Sequence, residues 1–295
     1  MSLITVFTPT YNRAHLLPRL YESLKQQTSK NFVWMVVDDG SVDDTKILVN
    51  KWILENLVDI KYFYKKNGGM HTAHNLAYSA IDTELNLCID SDDWMPNDAI
   101  SKIELTWNSY KDTENIGGIV ALDADENLTV LGSVLPSGVE STSFTKLYQY
   151  YKVTGDKKVI LRTDILKKFP QYPEYRSEKL VPLGSLYMLI SERYDFICLN
   201  EIVCCVEYQV SGSSNTIMKQ YFQSPKGFAY ARKIKLKYYS SYKEIIKNCL
   251  HLISIGVYLK DFKIIFKNNP YKVLTVFLFP IGIMFNAYLR HKVKI

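Results

Sequence analysis

The chain has 295 residues, of which 47% are apolar and 22% charged, and its formal net charge is +6. This composition is that of a folded globular protein with a sizeable core and excludes a disordered chain. The five cysteines form no C-x-x-C pair, which disfavours a zinc site or a disulfide scaffold and favours a reducing compartment.

Apolar periodicity predicts alternating strands and helices over the first 122 residues. The chain opens directly on a strand-like segment without a basic start, so we expect no signal peptide and a cytoplasmic location. Alternation of this kind is typical of an α/β fold with a mostly parallel, Rossmann-like sheet flanked by helices. The predicted strands of this part are 3–8, 32–37, 60–64, 85–89 and 118–122.

Beyond residue 122 the regular alternation stops, and the chain shows no internal repeat and no linker. A mixed region at 123–215 is followed by a basic helical segment at 216–295. The elements predicted in the mixed region are strands at 158–161, 196–200 and 203–208 and a helix at 183–193.

The C-terminal segment is strongly basic, because Glu244 and Asp261 are its only acids after Lys219. This charge indicates a polyanionic partner, which is an anionic lipid, a phosphorylated ligand or a nucleic acid. Residues 273–289 carry no charge but are interrupted by proline and glycine, and they are shorter than the roughly 20 residues of a spanning helix. We expect an interfacial segment on the cytoplasmic leaflet, and a helix packed on the protein's own core is the alternative.

Four polar clusters follow four of the predicted strands. In a parallel sheet, ligands bind outside the carboxyl ends of the strands, so these clusters predict one site at one edge. The clusters are Thr10–Arg13, Asp38–Ser41, Lys66–Gly69 and Asp90–Asp93.

The cluster Asp90–Asp93 places three carboxylates within four residues after a buried strand. Carboxylate oxygens are the ligands that Mg²⁺ or Mn²⁺ prefers, together with substrate phosphates and water. Carboxylates this close repel one another, and a bound cation would relieve that repulsion. The alternative is a solvated acidic loop that caps the next helix.

The other three clusters offer contacts to a nucleotide. Asp39 can accept hydrogen bonds from a base or ribose, although an Asx turn with a helix cap has the same composition. Tyr11 can stack on a base, and Arg13 can pair with a phosphate or with an acidic neighbour. Gly68 and Gly69 allow the backbone to approach a ligand closely, as does a plain turn. The fingerprints of dinucleotide-binding, P-loop and α/β-hydrolase proteins are missing from the sequence.

The order of these motifs is similar to that of the family 2 glycosyltransferases of the GT-A fold. The matching segments are Pro-Thr-Tyr-Asn-Arg, Val-Asp-Asp-Gly-Ser, the Asn67, Gly69, Ala73 and Asn75 spacing, and Asp-Ser-Asp-Asp. Three later segments resemble bacterial members that build surface polysaccharides. They are Ser177–Pro182, Val206–Tyr208 and Ser224–Phe228.

The resemblance implies a role for individual residues. Asp90 and Asp92 match the metal motif, and Glu178 stands where the catalytic base is expected. This chain has Glu178-Lys179 where many members have two adjacent acids, so Glu174 and Glu192 are alternative bases. The residues expected to contact the nucleotide sugar are Pro9, Tyr11, Arg13, Asp39, Asn67, Gly69, Asn75, Asp90, Ser91 and Lys226, with Arg232 as an alternative to Lys226.

The implied activity is inverting, Mn²⁺- or Mg²⁺-dependent transfer of a sugar from a nucleotide diphosphate-sugar, most simply a UDP-sugar. The expected partners are this donor, a saccharide or lipid-linked acceptor and a membrane surface at the C-terminal segment, but no nucleic acid. Residues 1–122 would bind the donor, 123–215 the acceptor and 216–295 the membrane. The alternatives are a nucleotide-binding or nucleotidyltransferase protein that transfers no sugar, and a non-catalytic membrane-associated scaffold.

Overall fold

A computed structural model describes residues 2–207 and 217–294 of the chain. The chain divides into two compact units, the first formed by Met1–Gln171 and Arg193–Gln209 and the second by Tyr172–Glu192 and Val210–Ile295. The functional division predicted at residues 122 and 215 stays a prediction.

The first unit is built on one sheet, in which the described residues form eight strands in the order β3-β2-β1-β4-β7-β5-β8-β6. The strands are β1 (Ile4–Thr10), β2 (Phe32–Asp38), β3 (Ile60–Tyr64), β4 (Leu85–Cys88), β5 (Ile116–Ala124), β6 (Ser141–Thr142), β7 (Lys157–Arg162) and β8 (Asp195–Cys205).

The first four strands run parallel to one another, as the sequence predicts. β1 pairs with β2 and β4, and β2 pairs with β3, so their carboxyl ends lie at one edge of the sheet. At that edge Thr10 lies opposite Asp38, and Asp38 lies opposite Tyr64. β7 is antiparallel to both β4 and β5, and β8 is parallel to β5.

Two predicted strand boundaries were wrong. β1 continues through Pro9 to Thr10, because β4 pairs only with Ile4 to Phe7 and needs no amide donor from the proline. The strands predicted at 196–200 and 203–208 are not separate, because β8 runs without a break over Asp195–Cys205, and residue 208 lies outside the described residues. The partner strand of β8, β5, skips Asn200 and Glu201 between Leu199 and Ile202, so the polar pair marks a bulge rather than a turn.

Helices cover the sheet and close the core of the first unit. All residues of β1, β2 and β5 are buried, as expected for strands covered on both faces. The largest buried side chains include Trp34 of β2 and Trp107. The helices of this unit are α1 (Leu17–Lys25), α2 (Thr45–Glu55), α3 (Met70–Ala80), α4 (Ala99–Asn108), α5 (Phe144–Gln149) and α6 (Thr163–Leu166).

The second unit is helical in its described part. The helix predicted at 183–193 is shorter, because it begins at Gly184 and ends at Ile190. None of the helices in the described part of the chain is long and apolar enough to cross a membrane. The helices are α7 (Gly184–Ile190), α8 (Ile217–Gln223), α9 (Pro225–Tyr238), α10 (Tyr242–Leu259), α11 (Lys263–Phe266), α12 (Lys272–Phe277) and α13 (Phe279–Val293).

Candidate active site

The acidic loop Asp90–Asp93 follows Ile89 at the carboxyl end of β4. The Asp92 side chain is 13% exposed, and Asp93 is buried. Burial raises the pKa of Asp92 against the opposing effect of Arg13. Burial also raises the pKa of Asp93 to about 7. Carboxylates held together out of water favour a nearby positive charge, which lowers both the desolvation cost and their mutual repulsion.

Arg13 connects the loop after β1 to this acidic loop. Its guanidinium donates hydrogen bonds to Oδ1 of Asp92 at 3.0 Å and to Oγ of Ser91 at 3.1 Å. The sequence left open whether Arg13 pairs with a phosphate or an acidic neighbour, and here it pairs with the acid. Because such charge-assisted bonds are directional, Arg13 fixes the position of the Asp92 carboxylate.

Asp39, which follows β2, holds the glycine loop that follows β3. Its Oδ1 accepts hydrogen bonds from Nζ of Lys65 at 2.7 Å and from the amide of Gly68 at 2.9 Å. Its Oδ2 accepts one from the amide of Gly69 at 2.7 Å. Lys65 also donates to Oγ1 of Thr72 at 2.6 Å, which ties the loop to the first turn of α3. Asp39 is therefore buried with both oxygens hydrogen-bonded, and Oδ2, which accepts one of these bonds, keeps a second acceptor site.

A close backbone approach and two hydrogen bonds to side-chain oxygens bring the loops after β1, β2 and β3 together. Gly40 has a φ of 88°, and a Cβ there would lie 2.8 Å from the backbone nitrogen of Asn67. Asn12 accepts a hydrogen bond from the amide of Val42 at 2.8 Å, and its own amide donates to Ser41 Oγ at 2.9 Å. Beside this contact Tyr11 is 46% exposed, so its ring is available for stacking.

Helix α3 begins directly after the glycine loop and carries Asn75 and two histidines. Asn75, His71 and His74 are all buried. His74 packs edge-to-face against Phe7 of β1, with ring centroids 5.0 Å apart. Burial lowers the pKa of His74 to about 4, so this histidine is neutral at pH 7. This agrees with the structural role that a histidine on a packed helix face usually has.

Lys158 of β7 lies beneath the acidic loop as a buried cation. Its Nζ is 3.9 Å from Oδ2 of Asp93 and 3.8 Å from Oδ1 of Asp123 on β5. Burial alone would lower the pKa of Lys158, but Asp123 and Asp93 outweigh it and raise this pKa well above its usual value. Sequence reasoning missed Lys158. The one sign of this buried cation in the sequence was a lysine within the strand predicted at 158–161.

Arg19 of α1 also contacts the acidic loop. Its guanidinium donates to the backbone oxygen of Asp92 at 2.7 Å and forms an ion pair with Glu207. It also lies 4.0 Å from the ring centre of Trp94. Sequence reasoning missed this contact too, because it joins three segments that are distant along the chain.

Glu178 and Lys226 belong to the second unit and contact each other there. The Glu178 carboxylate accepts hydrogen bonds from the amides of Lys226 at 3.1 Å and Gly227 at 2.9 Å. These amides belong to the first turn of α9, so Glu178 caps that helix. The alternative base Glu192 accepts a hydrogen bond from the Tyr238 hydroxyl at 2.6 Å, and Arg232 donates to Asn248 at 3.0 Å.

The donor set at the acidic loop fits a divalent cation bound together with phosphates. Among the described residues, no group of three His, Cys, Asp or Glu side chains is arranged as a complete metal site. Mg²⁺ and Mn²⁺ commonly use one or two carboxylates and take their other ligands from substrate phosphates and water. Arg13 donates to Oδ1 of Asp92, and the Cys88 thiol donates to Oδ1 of Asp90 at 3.8 Å, which leaves Oδ2 of each carboxylate as a metal ligand.

A sequence model of glycosyl transferase family 2 matches residues 5–167, which is more than half of the chain. The chain belongs to glycosyl transferase family 2. Membership in this family confirms the resemblance that the ordered motifs predicted, and the matched range contains the strands and loops of the candidate site from β1 to β7.

Two curated relatives match part of this family 2 chain. An uncharacterised glycosyltransferase of Rickettsia felis is 37% identical over 97 residues, which are 33% of this chain and 16% of that protein. The chondroitin synthase of Pasteurella multocida is 26% identical over 144 residues, which are 49% of this chain and 14% of that protein. The matched segments therefore span only a small part of these longer proteins.

The fold of the family 2 chain is also found in a solved structure. Residues 1–349 of S. aureus TarS in complex with UDP-GlcNAc align with a TM-score of 0.58 over 96% of this chain and 92% of that chain. The sequence identity is 17%, so the likeness concerns the fold alone. It confirms the predicted GT-A-type α/β fold with a helical C-terminal segment.

Proposed function

We propose that this chain transfers a sugar, with inversion, from a nucleoside diphosphate-sugar to a saccharide or lipid-linked acceptor in surface polysaccharide synthesis. The observation that carries the proposal is the direct bonding between loops at one sheet edge, through Arg13 to Asp92 and Asp39 to Gly68 and Gly69. Ligands of α/β sheets bind at this edge. A UDP-sugar donor agrees with the UDP-GlcNAc bound to TarS, and a polysaccharide product agrees with the relative named chondroitin synthase.

The nucleoside part of the donor is assigned to the loops after β1, β2 and β3. The exposed ring of Tyr11 would stack on the base, and Asp39 would accept a hydrogen bond from it. Gly68 and Gly69 have no side chain, so the ligand can approach the backbone of this loop closely. The residues assigned to this part of the site are Pro9, Tyr11, Asp39, Asn67, Gly69 and Asn75.

The diphosphate is assigned to the acidic loop and its basic neighbours. Asp90 and Asp92 would hold Mn²⁺ or Mg²⁺, which when bound neutralises the charge that develops on the leaving diphosphate. Ser91 and Arg13 lie beside these carboxylates, so Arg13 can donate to a phosphate oxygen. Lys226 is assigned a second contact to the diphosphate.

Glu178 is assigned the role of general base. It would take the proton of the acceptor hydroxyl while that oxygen forms its bond to the anomeric carbon. The bond from this carbon to the diphosphate oxygen breaks at the same time, and its electron pair leaves with the diphosphate. The two amide bonds from α9 orient the carboxylate, and each of its oxygens keeps a second lone pair for the proton.

The proposal is tested by incubating the chain with UDP-sugars, Mn²⁺ and a saccharide acceptor, measuring both the released UDP and the glycosylated product. We expect product formation by the wild type and a loss of about 100-fold or more in kcat/KM for Asp92→Ala. Asp82→Ala removes an exposed carboxylate of the same unit and should leave the rate unchanged.

Two results would contradict the proposal in different ways. Metal-dependent UDP binding without any sugar in the product, over a broad donor panel, would favour the nucleotide-binding or nucleotidyltransferase alternative. Equal behaviour of the wild type and Asp92→Ala in every assay would favour a scaffold without catalytic activity.

A further inference from the structure

The last two helices, α12 and α13, have two apolar faces. The inner face of α13 packs against α10. Asn286 of α13 is buried, and its Nδ2 donates to the backbone oxygen of Ser254 at 2.9 Å and to its hydroxyl at 3.1 Å. One turn earlier, a Cβ at Gly282 would lie 2.4 Å from the Ile253 side chain, so α13 and α10 are in close contact. The inner face of α13 is therefore fully used by packing inside the second unit.

The opposite face of α12 and α13 exposes large apolar side chains to solvent. Their spacing of three or four residues places most of them on one stripe along both helices. Single exposed apolar residues are ordinary, but a contiguous stripe marks an interaction surface. This outer face comprises Val273 (72% exposed), Val276 (57%), Phe277 (77%), Ile281 (53%), Ile283 (45%), Met284 (73%) and Tyr288 (60%).

Basic residues stand at both ends of the outer face. Lys272 precedes it, and Arg290, Lys292 and Lys294 follow it, all of them exposed. No acidic residue occurs in the sequence after Asp261. The surface therefore combines apolar side chains along its length with positive charge at its ends, which complements a layer of anionic headgroups over hydrocarbon.

We propose that the outer face of α12 and α13 docks on an anionic lipid bilayer, with both helices lying in the plane of the membrane. The apolar side chains would enter the boundary between headgroups and acyl chains, and the basic ends would contact anionic headgroups. A second copy of the chain fits the same face poorly, because an antiparallel pair would bring the basic ends of the two copies together. This docking is independent of the proposed sugar transfer.

The proposal is tested by sedimenting the full chain with vesicles of phosphatidylcholine containing about one third phosphatidylglycerol. We expect the wild type to bind these vesicles, to bind pure phosphatidylcholine weakly and to dissociate as salt rises. The double variant Phe277→Asn and Met284→Asn should lose about tenfold or more in partitioning, because two apolar side chains leave the membrane. The matched control Ile47→Asn and Leu54→Asn removes two equally exposed residues of α2 and should bind like the wild type.

A second measurement covers the case in which the double variant fails to fold. The tryptophan emission of Phe277→Trp should be quenched by brominated lipid more than that of the wild type. The emission of Ile47→Trp should be quenched no more than that of the wild type. The proposal is overturned if the wild type does not sediment with the anionic vesicles. It is also overturned if brominated lipid does not quench the tryptophan at position 277. A wild-type dimer that the double variant converts to a monomer, without any vesicle binding, also overturns it.

Discussion

Lys158 stabilises the acidic loop through charge rather than through a close hydrogen bond. Its ammonium group stands nearly equidistant from Asp93 and Asp123, at 3.9 and 3.8 Å, and its side chain is only 13% exposed. Two carboxylates buried without this cation would each bear the desolvation cost of an uncompensated charge. Lys158 therefore connects the stability of the sheet to the position of the acidic loop through Asp93.

We expect Lys158→Met to lower the free energy of unfolding by about 3 kcal/mol, because it leaves buried carboxylates without their cation. Lys158→Arg should retain most of the stability, since the charge is kept. Denaturant unfolding at pH 7.5 measures both variants. The control Lys61→Met breaks an exposed ion pair with Asp82 and should change the stability by less than about 1 kcal/mol. A Lys158→Met protein as stable as this control would contradict the argument.

His74 gives the fold a defined pH dependence. Burial lowers its pKa in the folded state to about 4 from the ordinary value of 6.5, so the unfolded chain takes up the proton first. The contribution of His74 to stability is fully present above pH 6.5 and is lost as the pH falls towards 4. At pH 5.5 this loss is about 1.4 kcal/mol.

The prediction is tested by the difference in unfolding free energy between the wild type and His74→Gln at pH 8 and pH 5.5. We expect His74→Gln to show less acid destabilisation than the wild type, because it removes the group that titrates. His15→Gln changes an exposed histidine and should follow the wild type at both pH values. Identical pH dependence in all three proteins would show that His74 is not held neutral by the fold.

At the scale of elements, the start of α9 depends on a close approach that requires glycine. A Cβ at Gly227 would lie 2.0 Å from the backbone oxygen of Leu180, which belongs to the segment that carries Glu178. The amide of Gly227 is also one of the two that bind the Glu178 carboxylate. Helix packing and the position of Glu178 are therefore set by the same contact.

We expect Gly227→Ala to destabilise the fold by about 2 kcal/mol, because the backbone must separate to admit a methyl group. Sugar transfer should fall with it, since the Glu178 carboxylate loses its orientation. The matched control is Gly184→Ala in α7, where no atom lies within 4 Å of the added methyl group. Thermal unfolding and the transfer assay distinguish the two variants. Equal melting temperatures of Gly227→Ala and Gly184→Ala would contradict the expected clash with Leu180.

At the scale of the whole molecule, the sequence predicted the part of the fold in which strands and helices alternate regularly along the chain. The parallel strands β1 to β4 and the polar loops at their carboxyl ends follow from local periodicity, and the pairing confirms them. The insertion of β7 between β4 and β5 has no local signal, because it joins residues more than 70 positions apart. Lys158 was missed for this reason.

The C-terminal helices were difficult to predict for a different physical reason. Both faces of α13 are apolar, so its hydrophobic pattern does not indicate which face packs on the protein. The sequence therefore left an interfacial segment and a core helix as alternatives. The structure shows the packed face, with Leu289 and Asn286 buried, while Met284 remains 73% exposed. Membrane contact stays a proposal.

The ion pair between Arg13 and Asp92 has a consequence for the order of events at the site. On the proposed assignment, a cation bound to Asp92 repels the guanidinium of Arg13, and an incoming diphosphate attracts it, so both ligands weaken the same 3.0 Å contact. Whichever of the two ligands binds first therefore makes the side chain that binds the other more available. Thermodynamic reciprocity then requires that cation and nucleotide raise each other's affinity by an equal factor. Arg13 would thus pair with Asp92 while the site is without ligand and would turn to the diphosphate when the substrate complex forms.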